Sequence, residues 1–153
     1  MASDDPRIGS VFGNFRLLRQ VGVGGMGIVY EAEHHTIARR AAVKVMHAEF
    51  AKNAEYAKRF LNEARAVNIV RHPGLVEIFE FGQELDGSLY IVMEFLEGES
   101  LYDRYVKPGL QIHPQEATKI GEQAAQALAA AHAKGIIHRD ARTKNTICFQ
   151  VGH

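Results

Sequence analysis

The sequence comprises 153 residues, 46% hydrophobic and 24% charged, which is an ordinary composition for one soluble domain. Its 18 basic and 18 acidic residues cancel and its single cysteine, Cys148, excludes an internal disulfide, so neither nucleic acid, an acidic membrane nor an oxidising compartment is indicated. Because no apolar run approaches the ~18 residues of a membrane span and the first residues lack a signal-peptide core, we expect a cytoplasmic protein.

Three short strands are predicted after a polar segment, 1–10, that we expect to form a flexible N-terminus. Apolar residues alternate in each strand, and Phe15, Leu17 and Val21 are predicted to share one face of the first. The first two strands would form a hairpin closed by a glycine-rich loop. The predicted strands are 12–21, 28–34 and 40–46.

An amphipathic helix and two further strands follow. The helix is predicted from apolar residues at spacings of three and four, namely Tyr56, Phe60, Ala64 and Val67. Alternation returns in 75–85 and 88–96, and Asp86-Gly87 between them is a strong hairpin-turn signal. Short connections favour antiparallel neighbours, so the predicted fold class is α+β, with a five-stranded antiparallel sheet and one helix.

Beyond Glu97 the pattern is helical. Residues 100–106 predict a short helix, and a long helix begins at Pro114 and is capped at Gly135. The last stretch, 135–153, reads as a loop and then a strand-like run. The apolar stripe of the long helix is predicted to consist of Ile120, Ala124, Ala127, Leu128 and Ala131.

The stretch VGVGGMGIVY fits the pattern G-x-G-x-x-G-x-V through Gly22, Gly24, Gly27 and Val29. Each glycine in an extended segment costs about 0.5–1 kcal/mol relative to alanine, so either a tight turn or a close approach to the backbone must explain them. One interpretation is a glycine-rich hairpin without a ligand. A dinucleotide fold would need a helix next, whereas IVYEAEH is a strand pattern. A glycine loop between antiparallel strands is instead typical of the nucleotide-covering loop of protein kinases.

Lys44 lies on the third predicted strand, in the sequence AAVK, which is similar to the kinase motif V-A-I-K. An ammonium among small apolar residues on a buried strand needs a counter-charge. Glu63 is one position from Ala64 in the apolar stripe of the predicted helix, so it could point at the sheet. Either residue alone is more often a solvated charge, but their order after the glycine loop favours an ion pair.

A further motif follows Gly135. His138-Arg139-Asp140, with Asn145 five residues after the aspartate, fits the catalytic-loop signature H-R-D-x-x-x-x-N. Phosphoryl transfer needs an aspartate that accepts or orients the hydroxyl proton and an amide oxygen that binds magnesium. A surface loop that closes the helix is the alternative, but the position after an alanine-rich helix favours a catalytic loop.

Together these motifs resemble those of eukaryotic-like serine/threonine protein kinases, especially the bacterial branch, whose glycine loop typically reads GxGGMGxVY. The resemblance covers about residues 9–147. It implies a kinase N-lobe and hinge in 11–96 and a partial C-lobe in 97–153. It also implies ATP and Mg²⁺ as cofactors and a protein serine or threonine hydroxyl as substrate.

The resemblance further implies roles for individual residues. Lys44, paired with Glu63, would hold the α- and β-phosphates, Asp140 would be the catalytic base and Asn145 a metal ligand. The residues that would cover the phosphates are Gly22, Val23, Gly24, Gly25, Met26, Gly27 and Val29. Those that would contact the adenine are Val21, Val29, Ala42, the gatekeeper Met93, the hinge backbone from Glu94 to Leu96, and Ile147.

Two departures from the family pattern stand out. The loop reads HRDARTKN instead of H-R-D-L-K-P-x-N, so Arg142 replaces the lysine that reaches the γ-phosphate, and its planar fork is no direct substitute for an ammonium. The sequence printed ends at His153 without D-F-G, so we expect a truncated serine/threonine kinase. The alternative is a non-catalytic nucleotide-binding pseudokinase or an inert kinase fragment.

Overall fold

The computed structural model describes residues 4–24, 27–137, 141 and 147–148, with all side chains except those of Glu63, Ala66, Val67, Ile147 and Cys148. The chain divides into two compact units, Met1–Ile69 with Val76–Phe95, and Val70–Leu75 with Leu96–His153. No helix in the described part of the chain is long and apolar enough to cross a membrane.

The first unit is an antiparallel sheet with two helices. Its sheet has the strand order β1-β2-β3-β4-β6-β5, and all neighbouring strands run antiparallel. This confirms the predicted α+β class. In chain order the elements are β1 (Val11–Phe12), β2 (Phe15–Val23), β3 (Gly27–His34), β4 (Arg40–Met46), α1 (Ala48–Ala51), α2 (Ala54–Ile69), β5 (Ile78–Gln83) and β6 (Leu89–Glu94).

Buried apolar residues cover both faces of this sheet, because successive strand residues point to opposite sides. We call the face that packs against α2 the helix face, and its cluster consists of Met46, Phe60, Ala64, Leu89 and Ile91. The opposite cluster consists of Phe12, Phe15, Leu17, Tyr30, Ala32, Ala41, Val43, Val45, Tyr90 and Val92. Alternate residues of β4 therefore serve different clusters.

The predicted strand 12–21 is divided in the structure. Phe12 pairs with Phe15 across a turn in which Gly13 has φ +58°, in the left-handed region that favours glycine. The sheet consequently gains a sixth, two-residue strand that the alternation alone did not predict. The short helix α1 was also not predicted.

Two β-bulges interrupt the register of β2, one between Leu17 and Arg19 and one just before Gly22. A bulge adds a residue without a partner and so changes which face the following side chains occupy. Phe15 and Leu17 are buried, but Val21 is 41% exposed. The prediction that Val21 shares their face is therefore wrong.

The polar N-terminal segment contacts the sheet where it is described. The Tyr30 hydroxyl donates to the carboxylate of Asp5, and Ile8 packs on the cluster opposite the helix face. Burial, together with this hydrogen bond, raises the pKa of Tyr30. The backbone N–H of Leu17 donates to the carbonyl of Ser10 at 2.9 Å. These contacts join residues 5–10 to the sheet, and the flexibility expected of this segment stays a prediction.

The turn between β5 and β6 has the predicted chemistry. The Ser88 N–H donates to Oδ1 of Asp86 at 2.8 Å, and Gly87 has φ +89°. The Gly87 N–H donates to the Glu84 carbonyl at 2.9 Å. The Asp86-Gly87 hairpin is therefore confirmed.

The second unit contains the long helix. Its elements are β7 (Glu99–Ser100), a π-helical turn (Tyr102–Val106), α3 (Pro114–Ala133) and β8 (Ile147–Cys148), and β7 pairs antiparallel with β8. The π-helical turn lies within the short helix predicted over 100–106. The strand β8 lies in the stretch predicted to be strand-like.

Both ends of α3 follow the sequence signals. The ring of His113 accepts a backbone N–H in the first turn, and Pro114 is the first helical residue. At the other end Gly135 has φ +74°, and the Ile136 N–H donates to the Ala131 carbonyl at 3.0 Å. This is the Schellman arrangement, in which a left-handed glycine ends the helix. The cap therefore ends α3 shortly before the His138-Arg139-Asp140 sequence.

The apolar stripe predicted for α3 is only partly correct. Ala127 and Ala131 are buried, and Ile120 and Leu128 are half-buried. Ala124 is exposed, so it does not belong to the buried stripe. A run of alanines does not show which side of the helix is covered, because an alanine fits either environment.

Candidate functional site

Two rows of cross-strand neighbours run over the helix face, from β3 through β4 to β6. The first row is Val29, Lys44 and Ile91, and the second row is Glu31, Ala42 and Met93. Directly opposed residues on one face have Cβ atoms about 4.5–5.5 Å apart. The residues assigned to phosphate and adenine recognition on this sheet therefore lie side by side.

Lys44 points toward α2. It is half-buried, and its Nζ lies 5.9 Å from the ring centroid of Phe60, within the range of a cation–π contact. Glu63 is one helical turn beyond Phe60 in α2, but its side chain lies outside the described ones. The Lys44–Glu63 ion pair therefore stays a prediction, with its cation directed to the helix that carries the carboxylate.

The glycine loop closes the β2–β3 hairpin, as predicted. Gly22 pairs with Val29 and Val23 pairs with Ile28, and the Gly24 N–H donates to the Gly27 carbonyl at 2.8 Å. Positions 25 and 26, which are Gly25 and Met26, lie outside the described residues. The loop thus emerges directly beside the row that contains Lys44.

The glycines at 22, 24 and 27 differ in whether the surrounding fold requires glycine at that position. A Cβ at Gly27 would lie 2.4 Å from the backbone oxygen of Val45, so packing against β4 requires glycine there. A Cβ at Gly22 would meet nothing within 4 Å, and one at Gly24 would meet only the Gly27 oxygen at 3.7 Å. Neither Gly22 nor Gly24 has a left-handed φ. In the described residues, neither position therefore requires glycine for its φ or for lack of space around a Cβ.

The second row ends where β6 ends. Ala42 is 7% exposed and pairs with the half-buried Met93. The N–H of Glu94 donates to the Glu77 carbonyl at 2.9 Å, which joins the last residue of β6 to the residue just before β5. Leu96, the other end of the proposed hinge, is the first residue of the second unit's longer segment.

A buried carboxylate that sequence analysis missed stands in the same row. Glu31 is 8% exposed and accepts hydrogen bonds from Nε of Arg19 and, at 2.6 Å, from Nε of Arg40. Burial alone would raise the pKa of Glu31, but the hydrogen bonds from Arg40 and Arg19 hold it below its usual value. The signal was available, because alternation in β3 places Glu31 on the same side as Val29.

We call Arg19, Glu31, Arg40 and Phe95 the β3 charge cluster. The guanidinium of Arg40 lies 4.0 Å above the ring centroid of Phe95. Phe95 directly follows β6, so the cluster joins the chain leaving β6 to β2, β3 and β4.

Most of the predicted catalytic loop is not among the described residues. Asp140, Arg142 and Asn145 all lie outside them. Ile147 is described by its backbone alone, which pairs with Ser100 in the β7–β8 ladder. Within the described residues no three histidine, cysteine or acidic side chains form a cluster that could hold a metal ion. The assigned metal ligand therefore stays a sequence prediction.

Comparisons with known proteins show the family to which this chain is similar. The family described as protein kinase domain matches residues 15–153. Among similar proteins, serine/threonine-protein kinase pkn2 of Myxococcus xanthus is 47% identical over 133 residues, which are 87% of this chain and 16% of the relative. PrkC of Bacillus subtilis is 37% identical over 143 residues, which are 94% of this chain and 22% of the relative. The chain thus spans under a quarter of the length of either relative.

Solved structures show the same likeness. A crystal structure of the Mycobacterium tuberculosis PknI kinase domain superposes with a TM-score of 0.76 at 28% identity, covering 92% of this chain and 56% of that one. A second structure of the same domain gives a TM-score of 0.77 with the same identity and coverage. The fold of the described chain is therefore the one found in those domains.

Proposed function

Because this chain belongs to the protein kinase family, with bacterial serine/threonine kinases among its relatives, we propose that it binds Mg-ATP on the helix face of its sheet. The proposed reaction is transfer of the γ-phosphoryl group to a serine or threonine hydroxyl of a protein. Proteins of this family generally use ATP and Mg²⁺ and act on protein substrates.

The observation that carries this proposal is the pair Gly22 and Gly24. Neither needs glycine for its φ, and neither is crowded by the described fold. Glycine in an extended segment costs about 0.5–1 kcal/mol relative to alanine, so glycine at positions where neither φ nor Cβ space requires it fits a partner that comes close to the backbone. Both lie beside the Val29–Lys44 row, so a phosphate chain near Lys44 fits that description.

Different residues of this chain would bind different parts of the nucleotide. Lys44 would donate to phosphate oxygens in a partly buried site, where a charge-assisted hydrogen bond is stronger than in water. Val29, Ala42 and Met93 would present apolar surface to the adenine. Asp140 would orient the attacking hydroxyl.

Magnesium, when bound, would neutralise charge on the phosphate oxygens. Asn145 would be one of its ligands, because an amide oxygen is a donor that Mg²⁺ accepts. Arg142 would contribute positive charge at the position where the family has lysine.

Isothermal calorimetry with Mg-ATP tests the proposed binding. We expect weak binding by the unmodified chain and at least about tenfold weaker binding by Lys44→Ala, since one charge-assisted contact is worth roughly 1.5–3 kcal/mol. Lys52→Ala is the matched control, because Lys52 is exposed at the end of α1 and away from the rows. Equal heats from Lys44→Ala and the unmodified chain, or no heat at millimolar nucleotide, would contradict the proposal.

The alternative is a nucleotide-binding module without transferase activity, and the sequence HRDARTKN favours it. This loop replaces the family's Leu-Lys-Pro by Ala141, Arg142 and Thr143. Transfer of labelled phosphate from ATP to a generic protein substrate separates the two functions, with Asp140→Asn as the control. Binding without transfer above that control would establish the module, and transfer lost in Asp140→Asn would establish the kinase.

A further inference from the structure

We infer that His47 positions the glycine loop for the phosphates of ATP, and that it does so through the backbone of Gly24. This inference rests on the proposed binding of Mg-ATP. The resemblance to kinases gave His47 no role, and we assign it none in the chemical step. It is a positioning residue, which acts on the nucleotide through another residue.

The register of the sheet brings His47 to the loop. Gly27, the first residue of β3, pairs with Met46, the last residue of β4, and His47 follows directly. The strands approach closely here, because a Cβ at Gly27 would lie only 3.2 Å from Cα of Met46. Nε2 of His47 lies 3.4 Å from the carbonyl oxygen of Gly24 and is the donor, since a carbonyl only accepts. The bond joins segments that are 23 residues apart in the sequence.

Hydrogen bonds hold Gly24 on both sides. Its N–H donates to the Gly27 carbonyl at 2.8 Å, and its carbonyl accepts from His47. The first bond lies within the loop, whereas the second ties the loop to a different part of the chain. Glycine has more backbone freedom to lose than any other residue, and a loop that is ordered before binding spares the ligand that cost. We therefore expect the bond from His47 to favour phosphate binding by limiting the conformations of the loop.

The two helices of the first unit support the imidazole. The carbonyl of His47 accepts the N–H groups of Phe50 at 3.0 Å and Ala51 at 3.1 Å, where α1 begins. The ring of His47 lies 6.1 Å from that of Phe50, which makes an edge-to-face contact at 5.2 Å with Tyr56 of α2. These centroid distances are those of interacting aromatic pairs. His47 thus connects the glycine loop to α2, the helix toward which Lys44 points.

The cost of losing this bond should fall on the loop and not on the fold. His47 is half-buried and belongs to neither buried cluster of the sheet. At 3.4 Å the hydrogen bond is long, so it contributes little to the free energy of unfolding. Gly24 is exposed, so water would hydrate its carbonyl if the donor were removed. A variant without the donor should therefore fold normally, with a glycine loop that samples more conformations.

The test separates the donor from the ring by three substitutions. His47→Phe keeps an aromatic ring beside Phe50 without a donor, His47→Gln keeps an N–H donor without the ring, and His47→Ala has neither. Mg-ATP and adenosine, which lacks phosphates, are titrated by isothermal calorimetry into each protein. We expect His47→Phe and His47→Ala to weaken Mg-ATP about three- to fivefold, as for loss of one hydrogen bond, and to leave adenosine unchanged. His47→Gln should restore most of the affinity for Mg-ATP.

The matched control is His35→Phe, which makes the same replacement elsewhere. His35 is exposed and lies beyond the other end of β3, so both affinities should stay unchanged. Urea unfolding followed by circular dichroism measures the stability of each variant.

A second measurement reports on the loop without any ligand. Exchange of the Gly24 amide hydrogen, followed by NMR, should be faster in His47→Phe than in the unmodified chain, because the hydrogen bond from Gly24 to Gly27 opens more often. Exchange at Ile91, within the cluster of the helix face, should not change.

The outcomes separate the inference from the proposal beneath it. Equal Mg-ATP affinity in His47→Phe and the unmodified chain would overturn the inference alone. So would unchanged exchange at Gly24, equal weakening in His47→Gln and His47→Phe, or a loss of adenosine binding as large as that of Mg-ATP. If the unmodified chain does not bind Mg-ATP, the proposed function fails and the inference fails with it.

Discussion

Replacing Gly27 by alanine should destabilise the fold, and the cost can be worked from its surroundings. The new Cβ would lie 2.4 Å from the Val45 oxygen and 3.2 Å from Cα of Met46, all of it backbone that no side-chain rotation can move away. Normal contact lies about 3.5–4.0 Å apart, so β3 and β4 must separate by about 1 Å at this point. Overpacking of this kind costs roughly 1–3 kcal/mol, reduced by the entropy that glycine loses on folding.

We therefore expect Gly27→Ala to lower the free energy of unfolding by about 1–2 kcal/mol, or the melting temperature by about 2–8 °C. Gly22→Ala is the matched control in the same loop, because its Cβ would enter open space. It should keep or slightly raise stability and yet weaken Mg-ATP binding. Urea and thermal unfolding followed by circular dichroism measure the stability of both variants, and isothermal calorimetry measures their Mg-ATP binding. An unchanged midpoint for Gly27→Ala, or an equal loss in Gly22→Ala, would refute the steric argument.

Two further predictions concern the C-terminal cap of α3 and the stability of the fold at acidic pH. Gly135→Ala should cost about 1 kcal/mol in urea unfolding, because φ +74° is unfavourable for an L side chain; an unchanged midpoint would contradict this. The lowered pKa of Glu31 stabilises the fold above the unfolded-state pKa of about 4.3, and this contribution is lost as pH falls through the folded-state pKa. Glu31→Gln should therefore unfold with a shallower dependence on pH below about 4.5 than the parent chain does, and parallel curves would count against this assignment.

Local sequence signals predicted most of the sheet because the residues of most of its strands follow the same two-residue alternation. Alternation identified β3 and β4, and Asp86-Gly87 identified the turn between β5 and β6. The break at Gly13 was missed because apolar residues on both sides look like one continuous strand. The exposure of Val21 was missed for a related reason, since a bulge depends on the partner strand and leaves no periodic signal.

The candidate site was predictable only where an ordered set of motifs exists. The glycine loop and Lys44 were found from their order, and the structure places them in neighbouring positions of one hairpin and its partner strand. Glu31 belongs to no motif, and its two arginines are twelve and nine residues away along the chain. Its ion pairs follow from the register of three strands, which a single sequence does not reveal.

Because β3 contributes side chains to both faces of the sheet, insertions and deletions within it have a specific consequence. Tyr30 lies in the cluster opposite the helix face, while its neighbours Val29 and Glu31 belong to the two rows. A one-residue insertion or deletion inside β3 would exchange these sides for all residues beyond it, because side chains alternate along a strand. It would bring the carboxylate into the apolar cluster and the tyrosine into the rows. Length variation between β3 and β4 should therefore be tolerated only in the exposed turn at 35–39.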